Sequence, residues 1–270
     1  MHGPATINGR PKVEVDIAHR YGPLVVHEHV QFSVATNEFL CICGPSGCGK
    51  TTLLDILAGV LTPSRGQVLV DGAPADPKRQ SLSFVFQEPS TFPWLTVRDN
   101  VATGLRIKGM PEAEIEVKVR EIVHLVGLTG FEGYYPHQIS GGMKQRVAIA
   151  RAFATDADLI LMDEPFVSLD QPTRERMQRE VLDIWRHRLR TVIFVTHNIE
   201  EAIFLGDRIL VLSAKPARIV AELPIRLARP RDPLSPEFVA LRAQCVRWLH
   251  QITSGDPDSP PAASNRESVA

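Results

Sequence analysis

No stretch of the chain approaches the roughly 18 apolar residues that a membrane-spanning helix needs, so any work at a membrane is expected to pass through another chain. The first residues, MHGPATINGRPK, lack the apolar run of a secretory signal. No charge excess is present either: the formal net charge is −1 over 270 residues, which argues against a nucleic-acid partner held by bulk charge. Cysteines are sparse. Cys41, Cys43, Cys48 and Cys245 are too few and too clustered for a disulfide framework and fit a reducing, cytosolic compartment. Cys41 and Cys43, two apart on an apolar strand, share one side. A metal pair and a buried core position both fit, and the lack of a second Cys or His pair nearby favours the core. No internal repeat is visible. What remains is an ordinary globular composition, 44% hydrophobic and 23% charged, sufficient for one large domain or two small lobes.

Residues 12–35 alternate apolar and polar positions rich in β-branched side chains, which predicts short antiparallel strands. EFLCIC reads as a buried strand entering a loop at Gly44, and Lys50 to Gly59 as a helix with a glycine at its end. GQVLVDG and LSFVFQ are further strands. From about Pro93 the texture becomes helical, with Ile115, Val119, Ile122, Val123 and Val126 on one face of a helix opened by Pro111. Strand–helix alternation then resumes: DLILMDE, a helix capped by Asp170 with Met177, Val181, Ile184 and Trp185 inward, TVIFVT, NIEEAIFLG and RILVL. Such alternation implies an α/β fold with a parallel sheet covered on both faces. Ser235 and Pro236 start a last helix with Phe238, Leu241, Cys245, Trp248 and Leu249 on one side, facing either its own domain or a partner.

Three segments carry chemistry. Gly44-Pro45-Ser46-Gly47-Cys48-Gly49-Lys50-Thr51 fills every fixed position of the phosphate-binding loop G-x-x-x-x-G-K-[ST]. Backbone N–H groups converge on a phosphate only where side chains are absent, and the following helix N-terminus adds a favourable dipole. Lys50 is expected at the β- and γ-phosphates, Thr51 on Mg²⁺ and Thr52 at the α-phosphate. The grip alone fits a kinase, a GTPase or a motor. LILMDEP ends a buried strand with two carboxylates: Asp163 fits a residue holding Mg²⁺ through its water shell. Adjacent residues on an extended strand point opposite ways, so Glu164 is free to polarise an attacking water. Ser140-Gly141-Gly142 precede a helix and form a second anion-binding N-terminus, far in sequence from the first. A cap alone would explain Ser140, but two successive glycines weaken a helix unless something must approach the backbone.

With FVFQEP, ISGGM, LILMDEP, VSLD and FVTHN following the phosphate loop in this order, the chain resembles the ATP-binding subunit of an ATP-binding-cassette (ABC) transporter over about residues 12–250. FQEPSTFPWLTVRDNV, YPHQISGGMKQRVAIARA and VTHNIEEAIFLGDRILVLSAKPARI look most like the nitrate/sulfonate/taurine importer subfamily. The resemblance implies a P-loop ATPase core at 12–92 and 151–252, with a small antiparallel β subdomain, and an inserted helical subdomain at 93–150. A flexible N-terminus (1–11) and a disordered tail (253–270) would flank it. It implies two cassettes dimerised head to tail, with Ser140, Gly141, Gly142 and Met143 completing the site built on the partner's Lys50. Tyr21 would stack on adenine, and Gln87 would reach Mg²⁺ and the attacking water. His197 would contact the γ-phosphate and orient that water with Glu164, and Asp170 would cross to the other cassette.

Pro93, Trp94 and Leu95 would receive a membrane subunit, although packing of Trp94 within the chain is the competing reading. Permease subunits on the cytoplasmic face of a bacterial inner membrane would be direct partners, and a substrate-binding protein an indirect one. Met143 stands where the family usually has Gln, Thr51 where Ser is commoner, and Asn198 where an acid is commoner. The last leaves the charge beside His197 open. A chromosome-maintenance ABC ATPase is the rival, but residues 52–139 hold no sustained heptads.

Overall fold

The computed structural model describes residues 10–254. The strands β1 (Val13–Tyr21) and β2 (Leu24–Val34) form a long antiparallel hairpin whose apolar alternation buries Val13, Val15 and Ile17 on one face. They are longer than the short strands the sequence suggested, because the pairing persists across a register irregularity near His19. β3 (Phe39–Cys43) runs into the loop 44–49 and α1 (Lys50–Leu57). β4 (Arg65–Val70) and β5 (Ala73–Pro74) follow, with β4 pairing antiparallel on β1. β6 (Leu82–Val85) leads into three helices, α2 (Val97–Ile107), α3 (Glu112–Leu125) and α4 (Gly141–Ala154). The strand β7 (Leu159–Asp163), α5 (Gln171–His187), β8 (Thr191–Thr196), α6 (Ile199–Leu205), β9 (Arg208–Leu212), β10 (Ala217–Pro224) and α7 (Pro236–Ser254) complete the order.

The strands form one sheet in the order β5-β4-β1-β2-β10-β9-β3-β8-β7-β6. β9, β3, β8, β7 and β6 run parallel to one another, while β1, β2, β4 and β5 make the antiparallel arm. Side chains of the parallel strands alternate between two apolar layers. Leu40, Ile42, Leu159, Leu161, Ile193 and Val195 pack with α1 and the antiparallel arm. Phe39, Cys41, Cys43, Ile160, Met162 and Phe194 pack on the opposite face with the helices. Burial on both faces is why these strands read as unbroken apolar runs. Cys41 and Cys43 do share a side, fully buried beside Phe39 and Phe194.

The apolar face read for α3 is buried as expected, including Val126 just past its end. α4 runs on to Ala154, four residues beyond the expected lobe boundary at 150. α7 turns Phe238 and Cys245 into the helix-side core, with Leu241 and Trp248 partly buried against it, so its apolar face is used within its own chain. The Leu249 side chain and, apart from residues 10–11 and 253–254, the expected flexible end and tail lie outside the described residues. Among those described, no helix is long and apolar enough to cross a membrane.

Candidate nucleotide-binding and hydrolysis site

Parallel register decides where the chemistry gathers. Cys43 pairs with Thr196, Asp163 with Val195 and Val85 with Met162. The loop 44–49, Glu164, His197 and the Gln87 segment therefore all leave the sheet at the same carboxyl edge, the usual place for ligands in an α/β sheet.

The loop is shaped by its glycines. Gly49 has φ +110°, and a Cβ there would lie 2.5 Å from Val26 Cγ1 and 2.9 Å from His27 Nε2, so only glycine fits. α1 begins directly after it with no side-chain cap, which leaves first-turn amides for an anion. The Lys50 ammonium is buried and donates to Gly44 O (3.0 Å) and Pro45 O (3.0 Å), with Glu164 Oε1 at 3.3 Å. The Thr51 hydroxyl donates to Asp163 Oδ2 at 2.7 Å. Burial pushes the Asp163 carboxyl above its ordinary pKa. The Thr51 hydrogen bond opposes that shift, and the neighbouring Glu164 charge adds to it.

Glu164 departs from the sequence reasoning. The strand ends at Asp163, and Glu164 has φ +41° with its N–H donating to Val195 O. The two carboxylates diverge because the backbone turns into the left-handed region, not because they alternate along a strand. A non-glycine residue there is uncommon and strained, a feature that clusters at functional sites. The turn brings Glu164 Oε2 to 2.6 Å from His197 Nδ1. Lys50, Glu164 and His197 thus form one connected series.

The chain on either side of His197 is tied down by its neighbours. Asn198 caps α6 by accepting from Glu200 N (2.9 Å) and Glu201 N (3.3 Å), which gives the departure from an acid at this position a local purpose. Glu201 is buried and accepts from Thr196 Oγ1 (2.5 Å) and Gln178 Nε2 (3.0 Å). Desolvation raises its pKa. Glu164, Arg174, Thr196, His197, Asn198 and Glu201 line a cavity of about 30 Å³, room for a water. In sequence, Glu201 is indistinguishable from an acid placed to suit a helix dipole.

The remaining predicted residues are placed as follows. Tyr21 ends β1, half exposed, edge-on to His19 with ring centroids 4.7 Å apart. Ser140 caps α4 and accepts from Met143 N at 3.3 Å. It is exposed and makes no hydrogen bond to the loop 44–49, Asp163, Glu164 or His197 within the chain. Gly141 faces open space, whereas a Cβ at Gly142 would come within 3.3 Å of Leu169 Cδ2. One of the two glycines therefore already has an intramolecular reason. Asp170 caps α5 through Thr173 N, and that hydrogen bond lowers its pKa. Gln87 is exposed, just after Phe86, whose carbonyl accepts from the buried Gln145 at 3.3 Å.

Trp94 is 70% exposed, so its own chain does not cover it. The loop that displays it is held by Asn100, a fully buried residue also missed in the sequence. Asn100 accepts from Phe92 N (2.7 Å) and directs its amide at Phe92 O (3.1 Å), Leu95 O (3.0 Å) and Thr96 O (2.9 Å).

A parallel core ending in a phosphate loop, with an antiparallel arm and a run of helices before the second anion-binding turn, defines an ATP-binding cassette. The family profile described as ABC transporter matches residues 27–167. An uncharacterised ABC transporter ATP-binding protein of Methanocaldococcus jannaschii is 47% identical over 82% of this chain and 83% of its own length. The aliphatic sulfonates import ATP-binding protein SsuB of Bacillus subtilis is 45% identical over 82% of this chain and 86% of its own. Among solved structures, the ATP-binding cassette MJ0796, a dimer in a post-hydrolysis state bound to ADP and Pi, superposes with a TM-score of 0.70 at 31% identity. It covers 80% of this chain and 100% of that one. The chain belongs to the ABC transporter family and is an ATPase.

Proposed function

We propose that the chain is the ATP-hydrolysing subunit of an importer for a small anionic solute of the sulfonate, nitrate or taurine kind. It would act as a dimer that closes on ATP and drives membrane-embedded permease subunits from their cytoplasmic side. The observation that carries the catalytic half is the series Lys50–Glu164–His197, with Glu164 Oε2 and His197 Nδ1 2.6 Å apart. Phosphate oxygens compete for the Lys50 ammonium, which frees Glu164 Oε1 to accept a proton from water. His197 donates its Nδ1–H to the other oxygen, and with Nε2 also protonated it donates there to the γ-phosphate. The loop from Gly44 through Pro45, Ser46, Gly47 and Cys48 to Thr52 cradles the phosphates, Tyr21 stacks on the base, and Gln87 reaches toward Mg²⁺ and the attacking water.

Thr51 and Asp163 suit Mg²⁺. Both are hard oxygen donors 2.7 Å apart, and no group of three or more His, Cys, Asp or Glu among the described residues makes a cage of its own. This fits an ion completed by phosphate and water, which would supply neutralisation of phosphate charge.

Support for the dimer is the Ser140–Gly141 turn, which its own chain leaves without a ligand site, together with the dimeric state of the cassette MJ0796. Support for the solute class is the likeness to the sulfonate import protein. A substrate-binding protein would complete the transporter.

The test is Glu164→Gln. ATP binding should persist, hydrolysis should fall about 100-fold or more, and MgATP should accumulate a dimer visible by light scattering. Turnover near the wild-type rate would remove Glu164 as the base. Copurified with its permease, the complex should raise its ATPase rate on addition of an alkanesulfonate, nitrate or taurine in the presence of the cognate binding protein. Stimulation by none of them would overturn the solute class alone.

A further inference from the structure

β2 carries an imidazole where the surrounding pattern calls for an aliphatic residue. His27 is 1% exposed, next to Val26 in the apolar interior of the sheet. Its Nε2 lies 3.1 Å from the carbonyl oxygen of Gly49. An oxygen acceptor requires Nε2 to carry the hydrogen, so Nδ1 keeps a bare lone pair, which is buried with no partner among the described residues. Leaving a polar atom unsatisfied opposes folding, and among the described residues the contact with Gly49 is the one polar return the side chain obtains.

That return is not needed to satisfy the carbonyl. Gly49 O already accepts the Leu53 N–H at 2.9 Å in the first turn of α1. The imidazole instead fixes the carbonyl's direction. Because the peptide unit is planar and trans, the N–H of Lys50 points opposite to the Gly49 C=O. Holding one aims the other at the mouth of the loop. The contact is also close-fitting, since Gly49 has no room for a Cβ against Val26 and His27.

The same strand connects the loop to the other end of the nucleotide. His27 stands opposite His19 in the β1–β2 register, and His19 packs edge-on against Tyr21. The β1–β2 pairing thus links Tyr21 and His19 on one strand to His27 and its Gly49 contact on the other. Burial lowers the pKa of His27 to about 4, with the charges of His19 and Lys215 adding to the effect. The imidazole therefore acts as a neutral donor and not as a charge.

We propose that His27 is a positioning residue for nucleotide binding, holding the Gly49–Lys50 peptide at a fixed orientation and distance from Tyr21. The inference rests on the reading of residues 44–52 as the phosphate site. It acts on affinity, because the loop and Tyr21 touch the nucleotide in ground state and transition state alike.

The test compares variants by reach. Gln at position 27 places an N–H where Nε2 stood, Asn is one methylene too short, and Leu has no donor. His27→Asn and His27→Leu should raise the ADP Kd, measured calorimetrically on the full chain, and the KM for ATP about fivefold, the worth of one neutral hydrogen bond. Their kcat should stay within twofold. His27→Gln should bind ADP within twofold of wild type. If Leu prevents folding, the Asn and Gln pair carries the comparison. Wild-type affinity in the Asn variant, or equal losses of affinity in Asn and Gln, would overturn the proposal. Lys50→Ala is the control. If it binds ADP normally, the phosphate-site reading itself fails, whereas loss there with normal binding in His27→Asn refutes the role of His27 alone.

Discussion

Asn100 offers a sharp test of the geometry that displays Trp94. Its side chain is fully buried and serves four backbone groups of residues 92–96. The amide has two hydrogens for three carbonyls, so these contacts amount to about two full bonds, with the Phe92 N–H supplying another. At about 1 kcal/mol each, Asn100→Ala should cost about 3 kcal/mol, equivalent to a melting temperature about 6–12 °C lower for a domain of this size.

Asn100→Asp sharpens the test through pH. The carboxylate keeps the Phe92 N–H but sets a negative charge against three carbonyl oxygens. Its folded pKa must therefore rise above the unfolded value of about 3.9. A raised folded pKa gives stability that is present at low pH and lost as pH climbs through that value. The Asn100→Asp variant should melt below the Ala variant at pH 8 and gain on it as pH falls to about 5, read by calorimetry in matched buffers. An Ala variant melting within 2 °C of wild type, or an Asp variant indifferent to pH, would refute the hydrogen-bonding arrangement.

Other outcomes follow from the same structure. Asp163→Asn should keep the Thr51 hydrogen bond while removing a buried charge whose pKa burial has raised. At pH 8 the ligand-free variant should melt above wild type, because it no longer buries that charge. The gain should shrink as pH falls through that raised pKa to the unfolded carboxylate value, while Mg²⁺-dependent ATP binding weakens at least tenfold. A lower melting temperature would contradict the assignment of burial as the dominant cause. Trp94→Ala removes an exposed ring and should leave melting unchanged and soluble ATPase activity within twofold, while abolishing solute-coupled hydrolysis in the permease complex. Intact coupling would move the docking surface elsewhere.

Much of the architecture could be read before folding was considered. The phosphate loop announces itself because glycines, lysine and threonine sit at fixed spacing between an apolar strand and a helix. The caps at Ser140 and Asp170 are equally local. Glu164 is a partial case: its residue type and its place after a buried strand marked it, but its backbone turn did not show. His27, Asn100, Gln178 and Glu201 were not legible, since a polar residue in an apolar pattern looks like noise until its partner is known, and the partners come from the folded chain.

By itself, the sequence determined the elements, their order and the family, because helix periodicity, strand runs and loop composition are properties of neighbouring residues. Only the tertiary structure decided that the strand ends converge on one edge, that Glu164 meets His197 and Lys50, and that an imidazole braces the phosphate loop. The physical reason is burial. Whether a polar group in the interior opposes folding or serves the site depends on which donor or acceptor the fold sets against it, and that choice is made by parallel register and packing across long separations.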